Sequence, residues 1–173
     1  MDSNAGAVSP LEIARRQIEF ARNYTRTLLA DVAPEDWFRQ PSQGITHLAW
    51  QVGHLAMAEY GLALFRQRGR SADDGELMSS AFRKQFSKGS TPEAEAANNP
   101  SPEEILAVFD RVHQRAIQEI PTFAPADLEQ KIPEPHAAFD TRLGALLFCA
   151  QHEMLHAGQI GLLRRLLGKA PIR

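Results

Sequence analysis

Leu11, Ala14, Ile18, Ala21, Thr25, Leu28 and Val32 follow one another in alternating steps of three and four. Only an α-helix gathers such positions onto one side, and the resulting apolar stripe has to be buried against other helices. A second stripe of this kind runs through Ile105, Val108, Phe109, Val112, Ala116, Ile117 and Ile120. Two further segments, about 43–68 and 141–168, read as helices, and the first is apolar almost all round. In the first of them Val52, Ala56 and Ala63 face one way and Trp50, Ala58 and Phe65 the other, as in a helix enclosed by neighbours. No segment shows the alternation of a strand. The chain therefore reads as all-α, a four-helix bundle.

The boundaries are marked as strongly as the stripes. Ser9-Pro10-Leu11-Glu12 and Ser101-Pro102-Glu103-Glu104 each offer a capping serine, a proline for the first helical position and a glutamate to complete a capping box. Pro34, Gly69, Pro121 and Gly168 close the four helices. Arg164, Arg165 and Lys169 suit the negative end of the last helix. The connections are long. Arg70–Pro100 holds a short helix over Ser79–Phe86, with Phe82 and Phe86 one turn apart. Its length predicts a crossover, not a hairpin, between helices two and three. Thr122–Asp140 contains three prolines and reads as loop.

A chain of 173 residues suffices for one well-buried core, so a single domain over 1–173 is expected. Nineteen basic and twenty-one acidic residues leave a formal charge of −2, which argues against nucleic acid as a partner. The longest apolar run, Leu143–Ala150, is too short to span a membrane. Met1–Ser9 lacks the pattern of an export signal, and a lone cysteine, Cys149, makes no internal disulfide. A cytoplasmic location follows as an expectation.

Six histidines carry the candidate chemistry: His47, His54, His113, His136, His152 and His156. His152 and His156 are four apart, so both imidazoles leave the helix on one side and can reach one ion. At roughly 100° per residue they share an arc with Ala145, Phe148, Ile160, Leu163 and Leu167, apart from Gln151, Met154, Arg164 and Arg165. On that count both point into the core. An unpartnered buried polar group costs about 1–3 kcal/mol, so each ring needs either a neighbouring polar group or a shared metal. His54, mid-way along helix two with Ala58 and Gly61 following, is the best third ligand. His47 falls on the same stripe, at a helix end facing solvent or at a pocket mouth. His113 borders an apolar face and is a weaker fourth candidate. His136 reads as solvated, unless its loop covers the open end of the bundle.

Three neutral imidazoles leave a divalent ion with about two positive charges and an exchangeable place, the pattern of catalytic zinc. Such a site favours hydroxide, carboxylate or thiolate. Nickel, iron and manganese accept the same donors. The string His152-Glu153-Met154-Leu155-His156 also fits H-E-x-x-H. Leu162 stands where one metalloprotease class needs a third histidine, and only seventeen residues follow His156. Glu153 is therefore read as facing solvent or supporting a ligand, in preference to acting as a general base. Gln159 is placed to hydrogen-bond a ligand nitrogen or a substrate. Cys149 reads as a small buried apolar residue, and Trp50 as core or pocket wall.

Two segments carry a family resemblance. Ile45-Thr46-His47-Leu48-Ala49-Trp50-Gln51-Val52-Gly53-His54-Leu55 resembles the first histidine motif of the DinB-like (DinB/YfiT) four-helix-bundle proteins. His152-Glu153-Met154-Leu155-His156-Ala157-Gly158-Gln159-Ile160 resembles their H-x-x-x-H-x-G-Q-I signature. The resemblance implies a metal triad of His54, His152 and His156, in agreement with the helical geometry, and a homodimer. It also implies a metal-dependent transferase joining a low-molecular-weight thiol, of the bacillithiol or mycothiol kind, to an electrophile. Three alternatives stay open: hydrolysis with Glu153 as base, a non-catalytic metal-binding stress-response protein, and a metal-free dimerising bundle.

Overall fold

The computed structural model describes residues 8–172. Most of the Met1–Ser9 segment, read above as lacking an export signal, lies outside them. Helix α1 spans Pro10–Leu29 and α2 spans Leu48–Glu59. The same rod continues through a π-helical turn, Tyr60–Phe65, into α3, Arg66–Arg68. Short helices α4, Asp74–Leu77, and α5, Ser80–Gln85, occupy the long connection. Helices α6, Pro102–Glu119, and α7, Arg142–Leu166, complete the bundle. Among the described residues no helix is long and apolar enough to cross a membrane.

The two serine caps differ. Ser101 Oγ accepts from the Glu104 amide at 3.2 Å, and Glu104 accepts from the Ser101 amide at 2.7 Å, a complete capping box. Ser9 Oγ accepts from the Glu12 amide at 3.2 Å, but the Glu12 carboxylate is held by Arg15 and Arg16. Helix α2 starts at Leu48, later than the apolar pattern predicts, because His47 caps it: Nδ1 accepts from the Trp50 amide at 3.0 Å. Nε2 then donates to the Glu93 carbonyl at 2.9 Å. Both nitrogens of His47 are used inside the protein, and it does not face solvent.

Side-chain partners give the helix directions. Arg22 and Arg164 join α1 to α7 through Glu153 and the Leu28 carbonyl, so these two helices run parallel. His113 meets Glu59 and Glu119 meets Arg68, so α6 runs parallel to the α2–α3 rod. Gln51 bonds Gln159 while Gln67 bonds the Arg142 carbonyl, so that rod and α7 are antiparallel. Up-down-down-up order requires 70–100 to return along the bundle, as its length predicts. The second connection joins the end of α6 to the start of α7, both of which lie at the α3 end of the bundle. Part of it is a hairpin, β1 Lys131–His136 with β2 Phe139–Thr141, with Lys131 opposite Thr141 and His136 opposite Phe139. This corrects the reading as loop. Pro133 and Pro135 weaken the sequence signal for a strand but are tolerated at a sheet edge.

The buried residues of α7 are Ala145, Leu146, Cys149, Ala150, Glu153, Ala157, Ile160, Leu163 and Arg164. This face keeps Ala145, Ile160 and Leu163 of the predicted arc, but its centre is rotated because Glu153 and Arg164 belong to it. Arg164 is paired with Asp31. Arg22 donates to Glu153 Oε1 at 2.9 Å, to Glu59 Oε2 at 2.5 Å and to the Phe109 carbonyl at 2.6 Å. His113 meets the other Glu59 oxygen at 2.9 Å. This buried cluster draws on all four long helices and fixes how far α7 is rotated about its axis.

Candidate metal centre

That rotation places His152 and His156 at the edge of the core, half-buried, against His54 of α2, which is 5% exposed. Ring centroids are 5.3 Å apart for His54–His152, 4.8 Å for His54–His156 and 4.5 Å for His152–His156. One nitrogen from each lies within 4.8 Å of the others. The predicted triad is assembled, but at the rim of the bundle and not deep in its interior. A site at the rim can admit a small molecule.

Two rings have their tautomer set by partners. The Phe86 carbonyl can only accept, so His54 Nδ1 donates to it at 2.9 Å. Gln51 donates to Gln159 Oε1 at 3.0 Å and to Thr46 Oγ1 at 3.2 Å, which turns its own oxygen toward His156 Nδ1 at 2.5 Å. In both rings Nε2 keeps its lone pair, and a hydrogen-bonded Nδ1 is the usual support of a metal-ligating histidine. Burial, then the neighbouring imidazole of His54, lowers the His152 pKa to about 4. Burial, then His152 and His54, lowers that of His156 to about 3. His54 is also lowered, by burial first and then by the Lys88 charge. The rings are therefore neutral at pH 7, as metal binding requires. An ion at about 2.0–2.1 Å from each nitrogen would draw the three donors closer together.

Trp50 stacks on His54 with centroids 4.8 Å apart and planes 6° from parallel. Its indole donates to Ser90 Oγ at 2.9 Å, and Ser90 donates to the Gln85 carbonyl at 2.7 Å. Trp50 is thus a wall of the site. Phe148 lies 5.8 Å from His152, and His136 lies 5.1 Å from Phe148. His136 is exposed, as its first reading has it, and its ring also lies over Phe148 beside the site.

Other candidates are placed elsewhere. Glu153 does not face solvent: it is 2% exposed, with both oxygens on Arg22. His113 is bound to Glu59, outside the triad. Gln159 reaches no ligand nitrogen directly and acts through Gln51. Cys149 is buried, and burial, with Glu59 and Glu153 nearby, pushes its thiol pKa well up. Gln51 and Phe86 were missed. Gln51 had a signal, a lone amide in an apolar helix three residues before His54. Phe86 acts through its carbonyl, which has no sequence signature.

Fold and site define a helical bundle with three neutral imidazoles, from two antiparallel helices, arranged to receive a divalent cation. The chain belongs to the DinB superfamily, whose family profile matches residues 17–160. No curated protein matches it. Among solved structures it is similar to a protein assigned to the DinB family from Exiguobacterium sibiricum 255-15. Identity is 22%, with 97% of this chain and 98% of that one covered and a TM-score of 0.63. A conserved protein from Enterococcus faecalis shares 17% identity over 94% of this chain and 100% of that one, at 0.64. YfiT from Bacillus subtilis, described as a probable metal-dependent hydrolase with an unusual four-helix bundle topology, shares 16% over 98% and 95%, at 0.61.

Proposed function

We propose that this protein is a metal-dependent thiol S-transferase, with His54, His152 and His156 holding a divalent ion, zinc in the first instance. A cation bound there would supply positive charge that lowers the pKa of a small-molecule thiol and favours the nucleophilic thiolate. The protein's own residues orient and shelter the reactants. Gln51 and the Phe86 carbonyl fix two of the imidazoles. Trp50 and Phe148 wall the site, and Lys88 adds a positive charge that favours an anionic reactant.

The observation that carries this reading is the engagement of Glu153. Hydrolysis needs a base to take a proton from water, and the carboxylate at the H-E-x-x-H position is buried on Arg22. A thiol is far more acidic than water, so electrostatic stabilisation alone suffices to ionise it. The description of YfiT favours the hydrolase as second reading. The homodimer belongs to the same proposal: Leu155, Leu162 and Leu166 are exposed along α7, with Phe20 on neighbouring α1.

Protein purified without an affinity tag should contain about one divalent ion per chain and consume free thiol in the presence of electrophiles. Glu153→Gln should retain thiol transfer. Metal-free protein with an intact fold would sink the proposal. Ester hydrolysis abolished by Glu153→Gln, with no thiol consumed, would replace it with the hydrolase.

A further inference from the structure

His136 stands at the turn of the β1–β2 hairpin, exposed to solvent yet held by three partners. Phe139 stacks on its ring with centroids 5.0 Å apart and planes 20° from parallel. Phe148 of α7 lies 5.1 Å from the same ring. The Ala138 amide donates to its Nδ1 at 3.1 Å. Phe139 is itself pinned to the first turn of α7: a Cβ on residue 144 would stand 2.8 Å from Phe139 Cβ, and glycine leaves that room. Ordering an exposed side chain costs rotamer entropy, which these contacts offset at this one turn.

The partners also define what the ring can do. A backbone amide can only donate, so Nδ1 holds a lone pair and the proton is on Nε2. That N–H meets no acceptor among the described residues and is free to donate to a bound molecule. Phe148 is 5.8 Å from His152, so the imidazoles of His136 and His152 are separated by no more than these two ring-to-ring steps. Phe148 and His152 are both half-buried, so His136 and the triad open onto one stretch of surface. After burial and His54, His136 is the next group that lowers the His152 pKa, an effect that fades with distance.

We propose that His136 is a catalytic residue of the thiol transfer, its Nε2–H donating to the oxygen of an epoxide as a thiolate at the triad opens the ring. The inference rests on the thiol-transferase reading and names the class of electrophile. Sulfur attacks a ring carbon from about 3–3.5 Å. The C–S bond forms, the C–O bond breaks, and the electron pair passes to oxygen. That oxygen, one bond beyond the carbon, accepts from Nε2–H at about 2.7–3.2 Å and then takes a proton from water. The proton that the thiol gave to solvent balances it, so thiol and epoxide add to a β-hydroxy thioether with nothing else consumed. A donor for this step has to stand several ångströms beyond the sulfur, as His136 stands beyond Phe148. An alkyl halide needs no such donor, because a departing halide is a weak base that water solvates.

Zinc-loaded protein, with mercaptoethanol as thiol, should open styrene oxide and displace chloride from benzyl chloride, each read as thioether by chromatography. His136→Phe keeps a ring against Phe139 and Phe148 but loses the donor. Its kcat/KM should fall about 10–100-fold for styrene oxide, less than for a donor in a sealed site, and stay within about twofold for benzyl chloride. Zinc content and helical circular dichroism should be unchanged. His136→Gln, which keeps an N–H donor, should recover part of the loss. An equal loss with both electrophiles, or no loss with styrene oxide, would overturn the proposal. Nitrogen NMR of the metal-free protein should show His136 protonated on Nε2, and protonation on Nδ1 would overturn it whatever the rates. Benzyl chloride turned over by the parent protein with styrene oxide untouched would remove this inference alone. Neither electrophile consumed would remove the transferase reading with it.

Discussion

The ring of Phe86 occupies the space that a side chain on residue 53 would need: a Cβ there would stand 2.5 Å from Phe86 Cγ and Cδ1. This close approach brings the Phe86 carbonyl to 2.9 Å from His54 Nδ1. Gly53 is therefore tied to the metal centre through a neighbour in space, with no functional group of its own.

Gly53→Ala should force α5 away from α2. The expected result is a loss of about 1–3 kcal/mol in stability and about 10–100-fold in metal affinity. Chelator competition and urea unfolding read the two effects. Phe86→Leu placed in the same chain should restore part of the stability, since a smaller side chain relieves the overlap.

Gln51→Leu keeps the volume of the side chain but removes the acceptor on His156 Nδ1. Metal affinity should fall about 10–100-fold, as for other supports of metal-ligating histidines. Gln159→Ala, one bond further out, should cost less. An isothermal titration with zinc in which Gln159→Ala is the more damaging of the two would contradict the orienting role of Gln51.

Glu153→Ala removes a buried partner of Arg22, and breaking such a pair costs about 3–5 kcal/mol. Glu153→Gln should cost less, because an amide oxygen still accepts from the guanidinium. Denaturant midpoints measured beside thiol-transfer rates should show the damage in stability, with the folded fraction still active.

Asp74 anchors the returning connection. It accepts from Tyr60 Oη at 2.9 Å, from the Ser71 amide at 2.8 Å and from both Arg68 Nη atoms, at 2.8 and 3.1 Å. Burial pushes its pKa up, but Arg68, the Ser71 amide and Tyr60 outweigh burial and hold it below 3.8. The folded value is thus below the unfolded one. Its stabilisation is complete above about pH 4 and is lost as pH falls through the folded value. Urea midpoints measured between pH 7 and pH 2 should fall in that window. Asp74→Asn should lower them at neutral pH and flatten the acid limb.

Much of this could be read along the chain because it depends on neighbours a turn apart. The stripes of α1 and α6, the serine caps, the crossover demanded by 70–100 and the shared side of His152 and His156 all follow from helical period and chain length. The orientation of Glu153 could not be read in this way. Its place one residue after His152 gives an angle about the helix axis, whereas its burial follows from Arg22, far away in the chain. His47 and the hairpin were misjudged for the same reason, since Glu93 and Phe148 are their partners only in three dimensions.

The order of residues alone determined the four long helices and the three imidazoles able to share an ion, because a helix repeats by local geometry. Packing decided that the triad sits at the rim, that Gln51 and the Phe86 carbonyl leave Nε2 free on His156 and His54, and that Glu153 is held by Arg22. Contacts between distant segments set how far each helix turns about its own axis, and no period along the chain encodes that rotation.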